Sequence, residues 1–96
     1  MSSPNRDAYV EKMKIQLDEL NENMNKLETK AQEVKDDVRH AYQEEMRKLR
    51  HESKLAGAKF DELKVSTEET WDAMVAEMEK VRDAFTHSFH YFKSQL

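Results

Sequence analysis

Apolar residues fall at Val10, Met13, Leu17, Leu20, Met24, Leu27, Ala31, Val34, Val38 and Ala41, with steps of three and four residues in strict alternation. This is the a/d heptad of a coiled-coil seam, sustained over five repeats. Nearly every other position is polar, with Tyr9 and Ile15 the large exceptions. A stripe that narrow suits a thin helical assembly better than a globular core, whose helices carry a wider apolar face.

Near residue 40 the register slips. The next apolar set is Tyr42, Met46 and Leu49, then Ser53, Ala56, Phe60 and Leu63. Val38 to Leu49 is an eleven-residue step, which relaxes a left-handed supercoil without ending the helix. One long helix over about 6–64 is therefore predicted, roughly 88 Å at about 1.5 Å per residue. Residues 1–5 are read as a flexible N-terminus.

The best break is Lys64-Val-Ser-Thr-Glu-Glu-Thr70. Ser66 followed by Glu69 fits a capping box, and Thr67 is a second N-cap candidate. Glu68, Glu69 and Asp72 suit the positive pole of a helix start, and Lys93 suits the far end. A second helix over about 68–95 then repeats the pattern at Trp71, Met74, Met78, Val81, Phe85, Ser88 and Phe92. Val75, Phe89 and Leu96 widen this stripe on one side.

The predicted fold is all-α: a long antiparallel helical hairpin that assembles as an oligomer, in one domain spanning 1–96. A turn near residue 66 sets Trp71 beside Phe60, Met74 beside Ala56 and Gly57, Met78 beside Ser53, Phe85 beside Met46, and Phe89 beside Tyr42. The hairpin-packing set is Tyr42, Met46, Leu49, Ala56, Gly57, Phe60, Trp71, Met74, Met78, Phe85, Phe89 and Phe92. Gly57 costs about 1 kcal/mol in a helix, and a close approach of helices would account for it.

The hairpin leaves the N-terminal stripe bare. Six of its side chains (Val10, Met13, Leu17, Leu20, Met24, Leu27) are worth on the order of 10 kcal/mol when buried, before ordering entropy is charged. Self-association through these residues and Val34 is predicted, most simply as a two-fold dimer, with a different helical protein as the other kind of partner. Lys30 and Lys35 would face each other in a parallel pair, which favours antiparallel pairing.

Composition sharpens this reading. Of 96 residues, 38% are hydrophobic and 38% charged, with one Gly, one Pro and no Cys. Glycine-rich phosphate loops, hairpin-rich β folds, disulfides and thiolate metal sites are excluded. Sixteen basic and twenty acidic side chains give a formal net charge of −4, with the signs interleaved. That distribution argues against a nucleic-acid partner. No apolar run matches a secretory signal or a membrane span, so a cytoplasmic protein is expected.

Candidate chemistry is sparse. Asp83, His87 and His90 lie within two turns of one helix, and Asp37 precedes His40 by one turn. Such spacing can hold a metal, but a di-iron bundle needs Glu-x-x-His motifs projecting inward from several helices. Surface histidines are the expected reading, with no metal, no cofactor and no catalytic residue. The aromatic run Phe85, Phe89, Tyr91 and Phe92 suggests packing on Tyr42 and Met46. A membrane-surface helix is the alternative, although it has only Lys93 and two His to face a headgroup.

The opening block Asp7-Ala-Tyr-Val-Glu-Lys-Met-Lys-Ile-Gln-Leu-Asp-Glu-Leu-Asn21, with Leu27-Glu-Thr-Lys-Ala31, Tyr42, Phe60-Asp-Glu-Leu63, Trp71 and Phe85, resembles small bacterial coiled-coil proteins. Many of those are hypothetical proteins or are linked to stress responses. Relatives often carry Gly near the turn and a second Trp in the last helix, where this chain has Val65-Ser66-Thr67 and Arg82. The resemblance implies a non-enzymatic protein acting by protein–protein interaction and brings no catalytic residues.

Overall fold

Charges at the ends of the apolar stripes mark where the helices stop. Lys30 lies in the last turn of one helix, and Asp36 and Asp37 in the first turn of the next. Lys64 closes that second helix, while Asp72 opens the third and Lys93 ends it. Each sign opposes the partial charge of its helix pole. The computed structural model describes residues 4–34 and 36–95. It contains α1 (Pro4–Gln32), α2 (Asp36–Lys64) and α3 (Trp71–Gln95), with no strand among the described residues.

The long helix predicted over 6–64 is therefore two helices. After Gln32 the chain tightens, with Glu33 N–H donating to Lys30 O at 3.1 Å and Val34 N–H to Ala31 O at 3.5 Å. Arg39 then fastens the start of α2 to the end of this turn. Its Nη2 donates to Val34 O at 3.2 Å and its Nη1 pairs with Asp36 at 2.9 Å. The break falls just before the register slip read near residue 40. Of the residues expected at this junction or the chain ends, Lys35, Leu96 and 1–3 lie outside those described.

Folding back at this turn gives three rods of similar length, about 44, 44 and 38 Å at about 1.5 Å per residue. They pack within 53 × 18 × 17 Å. Arg6 meets Ser66, Tyr9 meets Glu79 and Gln16 meets Arg82, so α1 and α3 run parallel. Asn21 meets Ser53 and Glu28 meets Arg50, so α2 runs against α1. The topology is up-down-up.

One core joins the three helices. Met13, Leu17, Met24, Leu27 and Ala31 come from α1, and Met46, Leu49, Ala56, Phe60 and Leu63 from α2. Met78, Phe85, Phe89 and Phe92 come from α3. Burying each large side chain contributes roughly 1.5–3 kcal/mol.

The α2–α3 register also differs from expectation. Tyr42 meets Phe92, edge to face at 5.5 Å, where Phe89 was expected. Lys59 reaches Glu77 at 3.0 Å, and Ser88 reaches Glu52 at 3.0 Å. The connection spans residues 65–70, so its midpoint lies beyond Ser66 and every partner shifts along α3. The turn that leads into α3 is closed by Thr67 rather than by Ser66. Thr70 N–H donates to Thr67 Oγ1 at 3.3 Å, and Thr67 N–H donates to Thr70 Oγ1 at 3.1 Å. This is the reciprocal logic of a capping box, with Thr in place of Glu at its third position. Ser66 Oγ instead donates to Leu63 O at 2.8 Å.

Candidate functional site

The residues expected to meet a second chain are largely enclosed by their own. Met13, Leu17, Met24 and Leu27 are buried, and Val10, Leu20 and Val34 are half-buried. Among the hairpin-packing residues, Met46, Leu49, Ala56, Phe60, Met78, Phe85, Phe89 and Phe92 are buried. Tyr42, Trp71 and Met74 are half-buried at the rim. Gly57 is exposed, and a Cβ built there meets no atom within 4 Å, so no close helix approach occurs at that point.

Apolar continuity and packing part company around the first turn. The heptad Ala31, Val34, Val38, Ala41 runs through the turn without a Gly or Pro. Ala31 is buried, but Val34 is only half-buried, Val38 is 40% exposed and Ala41 is exposed. The bundle thus leaves the middle of an unbroken seam only partly covered, next to its shortest connection.

A groove of about 340 Å³ lies against this turn, lined by Glu28, Ala31, Gln32, Arg39, Tyr42, Gln43, Met46, Arg47 and Arg50. It holds three of the chain's five arginines. Arg50 pairs with Glu28 across the α1–α2 seam, and Arg47 pairs with Glu44 on its own helix. Arg39 Nε is buried and has no acceptor among the described residues. Heptad reasoning missed this groove because arginine positions carry no weight in an apolar pattern. The signal lay in the spacing of residues 39, 43, 47 and 50, which tracks one side of α2.

The opposite end of the bundle is fastened by polar and aromatic contacts. The Arg6 guanidinium lies 4.3 Å from the Trp71 ring centroid, and its Nη2 donates to Ser66 O at 2.8 Å. Tyr9 packs edge-on against Trp71 with centroids 5.6 Å apart, and its hydroxyl donates to Glu79 Oε1 at 3.1 Å. Burial, then the bond to Glu79 and its charge, push the Tyr9 phenol up to about 12. Hydrogen bonds to Glu77 and Glu62 raise the Lys59 ammonium above its ordinary value.

The histidines project outward. His40, His87 and His90 are exposed, as is Asp37, and Asp83 pairs with Arg82 at 2.9 Å. Among the described residues, no group of three or more His, Asp or Glu could hold a metal ion. Of the C-terminal aromatics, only Tyr91 is exposed, at 57%, and the phenylalanines belong to the core. No helix among the described residues is long and apolar enough to cross a membrane. Comparison with family models, with curated proteins and with solved structures gave no match.

Proposed function

We propose that this protein is a non-enzymatic interaction module that self-associates by exchanging α1 between two copies. The supporting observation is the seam that runs through the α1–α2 turn while Val34 stays half-buried and Val38 and Ala41 stay exposed. If the turn straightens, α1 and α2 become one helix. Each α1 then docks on the α2–α3 face of the other copy and regains the same core contacts. The exchange costs little beyond association entropy, because the contacts are identical and only the hinge differs. It also adds contact, since two straightened hinges lying side by side cover Val34 and Val38. A short connection without Gly or Pro favours this outcome.

Light scattering over a concentration series tests the proposal against two variants. V34P removes the N–H that the straight helix needs, at a cost of about 3 kcal/mol or more, whereas the closed turn loses only its long 3.5 Å bond to Ala31 O. Inserting Gly-Ser-Gly after Val34 relaxes the turn without placing a proline there. The native chain is expected to show a helical dimer that grows with concentration, and both variants to remain folded monomers. A dimer of equal strength in the insertion variant would overturn exchange. A native chain that stays monomeric at every concentration would overturn self-association itself.

A further inference from the structure

We propose that the arginine groove beside the α1–α2 turn is a binding site for a small doubly charged oxyanion, a phosphate or a dicarboxylate. The groove belongs to the closed turn, and its test reads ligand binding rather than oligomeric state. The chain as a whole is acidic, at −4, yet three arginines and one glutamate line this groove, leaving two formal positive charges among the lining residues. A concentration of one sign in an oppositely charged protein needs a local reason.

The donors are only partly used. A guanidinium carries five N–H groups in a planar fork that matches the oxygens of a carboxylate or phosphate. Arg39 uses its two terminal nitrogens on Val34 O and Asp36, while its buried Nε has no acceptor among the described residues. The carboxylates that hold Arg39 and Arg47 do not line the groove. Asp36 is 90% exposed and Glu44 is 53% exposed, and each sits three residues from its arginine on the same helix. Pairs of that kind are weak and screened, so an oxyanion gripped by two forks competes with them. Glu28 is the only acid in the lining, and it occupies Arg50 alone.

The walls complete the site. Tyr42 and Gln43 bring neutral hydrogen-bonding groups, although the Tyr42 hydroxyl itself donates to Gln95 O at 2.8 Å. Ala31 and Met46 form an apolar floor, which limits access of water on that side and strengthens charge contacts above it.

The test is a titration of the full chain, followed by backbone amide NMR, with sodium phosphate, sodium succinate and sodium chloride at matched ionic strength. The expected result is saturable shifts confined to residues 28–32 and 39–50 with phosphate, succinate or both, and none with chloride. Which of the two saturates identifies the natural chemistry. R47Q and R50Q are each expected to weaken binding about tenfold or more, the loss of a hydrogen bond to a charged group. R50K keeps the charge but loses the fork and is expected to fall between. Circular dichroism of each variant establishes that the helices persist. Shifts that stay linear, spread over all basic residues, or persist unchanged in R47Q and R50Q would overturn the site.

Discussion

The Arg6 guanidinium lies over Trp71, 4.3 Å from the ring centroid, while the same side chain donates to Ser66 O at 2.8 Å. A residue in the first turns of α1 thus holds both the α2–α3 connection and the first residue of α3. A cation over an indole contributes about 0.5–2 kcal/mol, and the hydrogen bond adds about 1 kcal/mol. R6A is therefore expected to lower stability by roughly 1–3 kcal/mol. Trp71 is the sole tryptophan, so its emission reports the change locally. A red shift at unchanged helix content is the expected signature, and an unaltered spectrum would contradict the contact.

Tyr9 gives the fold a defined sensitivity to base. Its phenol is raised from an ordinary value of 10.0 to about 12 by burial and by the Glu79 carboxylate. The folded state therefore favours the protonated form. That contribution is fully present below pH 10, the unfolded value, and is lost as pH rises through about 12. Thermal melts across this window should show the native chain losing stability faster than Y9F, in which the group is gone. In absorbance titration, Y9F should lack the phenolate transition near 12. Parallel loss of stability in both proteins would contradict the linkage.

Gly57 and Ala56 are neighbours with opposite tolerances. Open space lies where a Gly57 Cβ would go, and its backbone is helical, so G57A is expected to stabilise by about 0.5–1 kcal/mol. Ala56 is 1% exposed, and A56L is expected to destabilise by about 1–3 kcal/mol through overpacking. Chemical denaturation of both variants checks the pair. A destabilising G57A would mean that α2 meets another surface there.

The α2–α3 connection can be dissected by its hydroxyls. Thr67 and Thr70 close the turn that leads into α3 with reciprocal bonds, so T67A is expected to cost about 0.5–2 kcal/mol. E69Q, which alters the acid of the alternative Ser66–Glu69 box, should cost no more than a few tenths of a kcal/mol, since it removes only a favourable charge at the helix start. Urea melts of the two variants separate the caps, and equal losses would contradict the assignment to Thr67.

Periodicity made the helical class, the α3 stripe and the connection after Lys64 legible, because each depends on local spacing and caps. Phe60, Phe85 and Phe92 were legible as packing positions for the same reason, whereas Met13 and Leu17, buried in the core of their own chain, were read as meeting a second one. The turn at 33–34 was not. The heptad passes through it from Ala31 to Val38, no Gly or Pro marks it, and the reason for folding back is tertiary. Lys30 followed by Asp36 and Asp37 was the available signal, a positive helix end meeting a negative start. With that turn unread, the α1 stripe looked bare and called for a second chain. The arginine groove forms only once α1 lies on α2, so its residues could be seen in the sequence but not brought together.

The contact between Asn21 and Ser53 provides the most direct measurement. Their side chains touch across the α1–α2 seam, whereas in one straight helix the 32 intervening steps would separate them by about 48 Å. The chain has no cysteine, so an N21C/S53C pair can be joined by a short bis-maleimide without competing thiols. Monomer and dimer fractions are separated before reaction and analysed under denaturing conditions. Exchange of α1 predicts a link within one chain for the monomer and a link between two chains for the dimer. A dimer fraction linked only within each chain would contradict α1 exchange, and a monomer that fails to link would contradict the three-helix fold.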